Sequence, residues 1–361
     1  MRRFSRWAAV AAGLALAPLQ PASAAGDFTG RTLTALVGFS AGGPVDSFAR
    51  LVAAHIGAHI PGNPTVIVQN KPGADGMLAV NYLYNVAPKD GSMFLVAIAP
   101  FTNQYIGSTD IKFETDKFYW LGALNYSNTI YVRADLGIRS AADLLAPHKP
   151  IVIGGLAPAS SRDLYMKSFL EALGYKTYSY VKGYQGTLDI RNALLRDEVN
   201  FSTESAVALV TDMASYVKDG SIIPLAQSGL DRGGRTVRDP QVPEVPTAEE
   251  AIVALHGEAA RKTLEFRAMS LVIDMVALGR AVFMPPGVDP AAGAALRKAF
   301  AELNADRGFQ KAAANLNGGR DMALTDGATA QKFAGTIAAL AKTDPEALAY
   351  LQRMAQEKAA R

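Results

Sequence analysis

Cysteine is absent from the chain, which removes a disulfide framework, a thiol nucleophile and a lipid-modified N-terminal cysteine together. Apolar runs of membrane-spanning length, about 20 residues, are also missing, because the longest candidates, near Leu271 and Ala281, are broken by Asp274 and Arg280. No G-x-G-x-x-G follows a strand-like run and no P-loop occurs, so no cofactor site is expected. Lys/Arg-rich tracts are lacking too. The formal charge of +3 includes Arg2, Arg3 and Arg6, leaving the remainder near neutral and nucleic acid excluded as a partner.

What the N-terminus does contain is a cationic start, an apolar stretch from Trp7 to Leu16, and a helix-breaking segment with Pro18 and Pro21 that ends in Ala22-Ser23-Ala24. These are the three parts of a secretory signal peptide over residues 1–24, with cleavage expected after Ala24. A retained membrane anchor is the weaker alternative, since the apolar stretch is too short to span. The rest of the chain is expected to be soluble and to form two lobes at roughly 150 residues each.

Apolar runs of strand length recur at Leu33 to Val37, Val66 to Val68, Phe94 to Ile98, Ile151 to Ile153, Thr177 to Val181, Val199 to Phe201, Ile222 to Ala226 and Ala281 to Met284. Helical patterns separate them, including Phe48, Leu51, Val52, Ile56 and Ile60, and then Leu164, Phe169, Leu170 and Leu173. Continuous apolar strands between helices predict an α/β fold with mostly parallel sheets covered on both faces. The Ala-rich stretch from Ala291 to Met354 reads as helical, with Pro290 and Pro345 marking helix starts.

Three small-residue loops follow strands. Ser40-Ala41-Gly42-Gly43-Pro44-Val45-Asp46 pairs glycines with a proline suited to the first helical position and an acid in the first turn. Such a helix start offers unpaired N–H groups to a carboxylate. In Gly154-Gly155-Leu156-Ala157-Pro158-Ala159-Ser160-Ser161-Arg162-Asp163, Ser160 and Asp163 have capping-box spacing. In Gly183-Tyr184-Gln185-Gly186-Thr187, Thr187 is placed to cap the next helix. Each alone reads as an ordinary strand-to-helix turn. Their shared position at strand ends, where open α/β sheets bind ligands, gives them weight together.

Two enzyme-like patterns compete. Gly38-Phe39-Ser40-Ala41-Gly42 matches the G-x-S-x-G nucleophile elbow, but no upstream strand supplies an oxyanion loop, and neither His148 nor His256 lies in a motif that suggests a base. His55 and His59 are one turn apart without the acid of H-E-x-x-H, which favours packing over metal ligation. No metal site is expected.

At these loops the chain resembles the Bug family, the periplasmic receptors of tripartite tricarboxylate transporters. The matches are Phe39-Ser40-Ala41-Gly42-Gly43-Pro44-Val45-Asp46-Ser47-Phe48-Ala49-Arg50, Asn70-Lys71-Pro72-Gly73-Ala74-Asp75-Gly76, Ala87-Pro88-Lys89-Asp90-Gly91, and Asp239-Pro240-Gln241-Val242-Pro243-Glu244-Val245-Pro246-Thr247. The resemblance implies a two-lobed periplasmic-binding-protein fold of type II, with lobe 1 from 25–125 plus 246–361, lobe 2 from 126–245, and the ligand cleft between them. It implies contacts from Phe39, Ser40, Ala41, Gly42, Gly43, Asp46, Pro100, Phe101 and Thr102 in lobe 1. From lobe 2 it implies Ser160, Ser161, Tyr184, Gly186, Thr187, Thr203, Glu204 and Ser205. Two features depart from the pattern: the loop Lys182-Gly183-Tyr184-Gln185-Gly186-Thr187, and a long segment from Ala251 to Asp274. Glu204 would repel an anionic ligand unless protonated or offset by a cation such as Arg162, or it would select an ammonium group.

The expectation is therefore a monomeric, non-catalytic periplasmic receptor for a dicarboxylate or aromatic carboxylate, partnered by the subunits of an inner-membrane transporter. A secreted serine hydrolase using Ser40, and a sensor for a membrane kinase, are the alternatives.

Overall fold

Apolar runs that alternate with amphipathic helices become two mixed sheets. The computed structural model describes residues 26–74, 76–107, 111–184, 186–231, 236–320 and 322–356; the expected leader lies outside the described residues. Strand β1 (Thr32–Val37) leads into helix α1 (Pro44–Ile56), followed by β2 (Thr65–Asn70), α2 (Met77–Asn85), β3 (Met93–Ile98) and β4 (Tyr119–Leu124). Helix α1 forms because Pro44 fits its first position and Phe48, Leu51, Val52 and Ile56 fall on one buried face. Each such burial is worth about 1.5–3 kcal/mol.

After β4 the chain crosses to a second sheet through β5 (Asn128–Arg133). There follow β6 (Ile151–Gly155), α3 (Ser161–Ala172), β7 (Tyr178–Lys182), α4 (Thr187–Leu195), β8 (Phe201–Ser205), α5 (Ala206–Val210), α6 (Ala214–Lys218) and β9 (Ile222–Gln227). A short ribbon of β10 (Leu230–Asp231) and β11 (Thr236–Val237) precedes α7 (Ala248–His256) and α8 (Leu264–Val276). The chain then returns to the first sheet with β12 (Arg280–Met284), α9 (Pro290–Glu302), α10 (Arg307–Leu316), β13 (Leu324–Asp326), α11 (Gly327–Thr343) and α12 (Pro345–Gln356).

The strand orders are β13-β4-β12-β3-β1-β2 and β7-β6-β8-β5-β9. Among the strands described, parallel ladders join β1 with β2 and β3, and β6 with β7 and β8. The antiparallel halves come from the crossing and returning strands, so the expected parallel sheets are mixed. Strand β12 is wedged between β3 and β4, with Arg280 opposite both Ile98 and Leu124.

One apolar core runs from Leu95, Trp120 and Phe283 under the first sheet to Phe169 of α3, Phe266 of α8 and Leu351 of α12. Another, around Phe48, Val96, Val282 and Phe300, fills the opposite face of the first sheet. The long segment from Ala251 to Asp274 supplies most of α8, which packs on α3. Pro290 and Pro345 do begin helices, the first capped by Asp289, whose carboxylate accepts the Ala292 amide.

Candidate functional site

The N-terminus of α1 is left open by its own sequence. Gly43 occupies the N-cap and provides no side-chain oxygen, and Pro44 follows it. The first-turn amides therefore lack both an intrahelical acceptor and a cap. Gly42 sits at φ +86°, a left-handed conformation that glycine adopts at little steric cost. Asp46, 1% exposed, is turned inward: its carboxylate accepts bonds from the Gly42 amide, Arg50 Nε and Asn70 Nδ2, each at 2.8 Å. Burial pushes this carboxyl upward, but the bonds from Arg50, Gly42 and Asn70 prevail and hold it below its usual range.

Across from this loop lie two from the second sheet. Ser160 caps α3 and accepts the Asp163 amide at 3.3 Å, whereas the Asp163 carboxylate reaches back to the amides of Leu156 (2.7 Å) and Ala157 (3.0 Å) and accepts the Tyr180 hydroxyl at 2.8 Å. Helix α4 is capped by Gly186, with no side-chain bond. Thr187 is thus the first residue of α4 and not its cap, and this helix also opens with uncapped amides.

The three loops surround one cavity of about 970 Å³, within the size range of small-molecule sites. Of the residues expected from the sequence, Phe39, Ser40, Ala41, Gly42, Gly43, Tyr184, Gly186, Thr187, Thr203, Glu204 and Ser205 line it. Six others do not. Asp46 fastens the first loop from behind, and Ser160 and Ser161 are used in starting α3. Phe101 stacks on Trp120 with ring centroids 5.6 Å apart in the core. Thr102 is buried beside it, and the Pro100 carbonyl accepts the Gln104 amide.

The carboxylate of Glu204 is buried and paired. Arg191 donates to it at 3.2 Å and also bridges to Asp212. Burial raises its pKa, with Arg191 and then Arg162 opposing. Arg191, and not the expected Arg162, is the direct partner. Arg162 bonds to the carbonyls of Gly154 and Thr203, to Ser202 Oγ, and to Asp163. The offset leaves the cleft without an uncompensated negative charge from Glu204.

Sequence reasoning missed several lining residues. Pro72, Gly73, Ala74 and Gly76 belong to a loop whose motif is visible in the sequence. Tyr126 and Asn128 flank the crossing between β4 and β5, where the run Thr129-Ile130-Tyr131-Val132 was a β-branched strand signal. Arg280 was visible as a charge interrupting an apolar run. It lines the cavity with its guanidinium 4.8 Å from the Tyr126 ring centroid.

Ser40 is exposed on the cavity wall, and none of the four histidines lines that cavity. His59 bonds to Asp306 at 2.9 Å and lies 3.4 Å from Glu302, with His55 3.7 Å from Asp306. Both histidines thus tie α1 and the turn after it to the start of α10. Among the described residues no group of three or more His, Cys, Asp or Glu is arranged to hold a metal ion, and no helix is long and apolar enough to cross a membrane.

The sequence model of the tripartite tricarboxylate transporter family receptor matches residues 49–261. The UPF0065 protein in the gbd 5′ region of Cupriavidus necator is 29% identical over 248 residues, covering 67% of this chain and 71% of that protein. Among solved structures, the periplasmic binding protein BugD aligns over 89% of this chain and 98% of its own, at TM-score 0.64 and 22% identity. MatC of Rhodopseudomonas palustris with bound malate aligns over 91% and 100%, at TM-score 0.60 and 18% identity. An R. palustris protein with adipate aligns over 89% and 98%, at 0.64 and 20%. These structures share the two-lobed α/β fold.

Proposed function

The chain belongs to the tripartite tricarboxylate transporter receptor family, and from that premise we propose that it is a periplasmic, non-catalytic receptor that captures a small carboxylate and delivers it to inner-membrane transporter subunits. The observation that carries the reading is the pair of uncapped helix starts, α1 at Gly43 and α4 at Gly186, that meet at one cavity from different sheets. Helix N-termini present N–H groups and partial positive charge, the chemistry of an anion site. Malate and adipate in two proteins of the same fold support a dicarboxylate.

In this reading residues 1–24 direct export and are removed, residues 25–125 with 246–361 form one lobe, and 126–245 form the other. The monomer closes its lobes on the ligand, and the closed shape is what the transporter recognises. The lack of a histidine near Ser40 supports binding over hydrolysis.

A thermal-shift panel of aliphatic dicarboxylates, aromatic acids and amino acids tests the proposal, since a ligand at 100 times its Kd adds about 2.7 kcal/mol to the native state. A rise in Tm with one or more carboxylates, and no turnover of generic esters, is expected. If no acid in the panel raises Tm, the receptor reading fails.

A further inference from the structure

We propose that Arg280 is the second anchor of the cleft, receiving the far carboxylate of a linear dicarboxylate whose first carboxylate sits on the start of α1. This deepens the receptor reading and rests on it.

Charge accounting within the cleft singles out this residue. Glu204 is paired with Arg191, and Arg162 is held by Asp163, Ser202 and two backbone carbonyls. Arg280 forms no ion pair among the described residues, and its close partner is the face of Tyr126. A half-buried guanidinium whose close partner is an aromatic face gains from a carboxylate, which it binds bidentately.

The surroundings are shaped for this group. Gly279 stands at φ +53°, and a Cβ there would lie 2.7 Å from the Tyr126 ring, so the absent side chain makes room for the ring under Arg280. Arg280 and Tyr126 also line a second cavity of about 410 Å³, together with Asn125, Leu278 and Met322. Arg280 and Tyr126 are thus shared by the linings of the cleft and of this second cavity.

Strand order sets the span. Arg280 opens β12 opposite Ile98 at the end of β3, and β1, which leads into the Ser40 to Gly43 loop, lies on the other side of β3. Two strand spacings, about 10 Å, therefore separate the strands that bear the two anchors. Ile98, which lines the cleft between them, provides an apolar floor for methylenes. An acid charged at both ends fits this arrangement; a monoacid leaves Arg280 unpaired.

Titration calorimetry on the purified protein with matched pairs tests this: succinate and butyrate, glutarate and pentanoate, adipate and hexanoate. In wild type at least one diacid binds roughly tenfold or more tightly than its monoacid, as expected for a charged hydrogen-bonded pair. Arg280→Gln removes that preference while the monoacid Kd stays within about twofold, and Arg280→Lys restores part of it. The unchanged monoacid Kd shows that the variant folds, and the wild-type comparison stands without it. If wild type binds monoacids as tightly as diacids, or if Arg280→Gln weakens both equally, Arg280 is not the second anchor, although the receptor reading survives. Absence of binding by all six acids overturns the second-anchor proposal, whereas the receptor reading falls only if the wider panel of acids also leaves Tm unchanged.

Discussion

Asp46 and Asp163 hold the same place in two different helices. Each is the third residue of its helix, α1 or α3, and each turns its carboxylate back onto amides of the preceding loop. The amides of Gly42, Leu156 and Ala157 are thereby engaged from inside the protein. The two sites differ in balance: Asp46 is held below its usual pKa, whereas burial pushes Asp163 above it, with Arg162, Tyr180 and the loop amides opposing.

Asp46→Asn keeps one acceptor oxygen for the Gly42 amide and Arg50 but turns its NH2 onto Asn70 Nδ2, and it removes the charge that pairs with Arg50. The expected loss is about 2 kcal/mol in urea unfolding at pH 7, with weaker carboxylate binding. Because the folded pKa of Asp46 is depressed, its stabilisation is present above the ordinary carboxylate pKa and fades as pH falls below it. The difference between variant and wild type therefore shrinks in acid.

Gly42 and Gly43 separate stability from binding. Gly42→Ala meets no atom within 4 Å but must hold φ +86°, at an expected cost of about 1–2 kcal/mol. Gly43 has φ −80° and only the Ser40 carbonyl oxygen near a new Cβ, at 3.8 Å. Gly43→Ala should cost no more than about 1 kcal/mol, through a poorer N-cap, while placing a methyl group in the mouth of α1, so calorimetry should show weakened ligand binding.

The Arg191 and Glu204 pair predicts an asymmetry. Arg191→Met strands a buried carboxylate and should cost about 3 kcal/mol at pH 7, whereas Glu204→Gln should cost much less. Since the folded pKa of Glu204 is raised, its titration favours the folded state in acid and loses that contribution as pH rises through the folded value. Glu204→Gln should flatten this part of the stability profile.

Asp306 joins the two histidines to α10. Its carboxylate accepts the Gly308 and Phe309 amides, and with His59 as the leading cause its pKa is lowered to about 2. Asp306→Ala should cost about 1–2 kcal/mol at neutral pH, mostly through the lost cap. The stabilisation is present above the ordinary value of 3.8 and is lost as pH falls through about 2. Unfolding curves of variant and wild type should therefore converge near pH 2.

The legible parts of the fold were those written locally. Phe94 to Ile98 and Ala281 to Met284 are unbroken apolar runs, Leu33 to Val37 is interrupted only by Thr34, and each became a strand. Strand β4 escaped because Gly122 interrupts its run, and β5 because its apolar part, Ile130 to Val132, is only three residues long between Thr129 and Arg133. In the site, the Ser40 to Gly43 loop was readable from paired glycines before a helix-starting proline. Phe101 was not, since a lone aromatic after a strand looks the same whether it faces solvent or stacks on Trp120. Arg280 was hidden for a different reason. Its place beside Ile98 depends on β12 entering between β3 and β4, a pairing between segments far apart in the chain.

That insertion also fixes a sequence of events. Strands β3 and β4 do not bond to each other; they meet through Arg280 to Met284. Until that late segment arrives, the inner edges of both strands are unpaired, while β5 through β9 already contain every strand of the second sheet. A chain emerging from its N-terminus can complete the second sheet first and must keep the first one open. Strand edges left waiting in this way are slow to close and prone to wrong pairing, so a chaperone that shields β3 and β4 should raise the yield of refolding more than one that acts on the later helices.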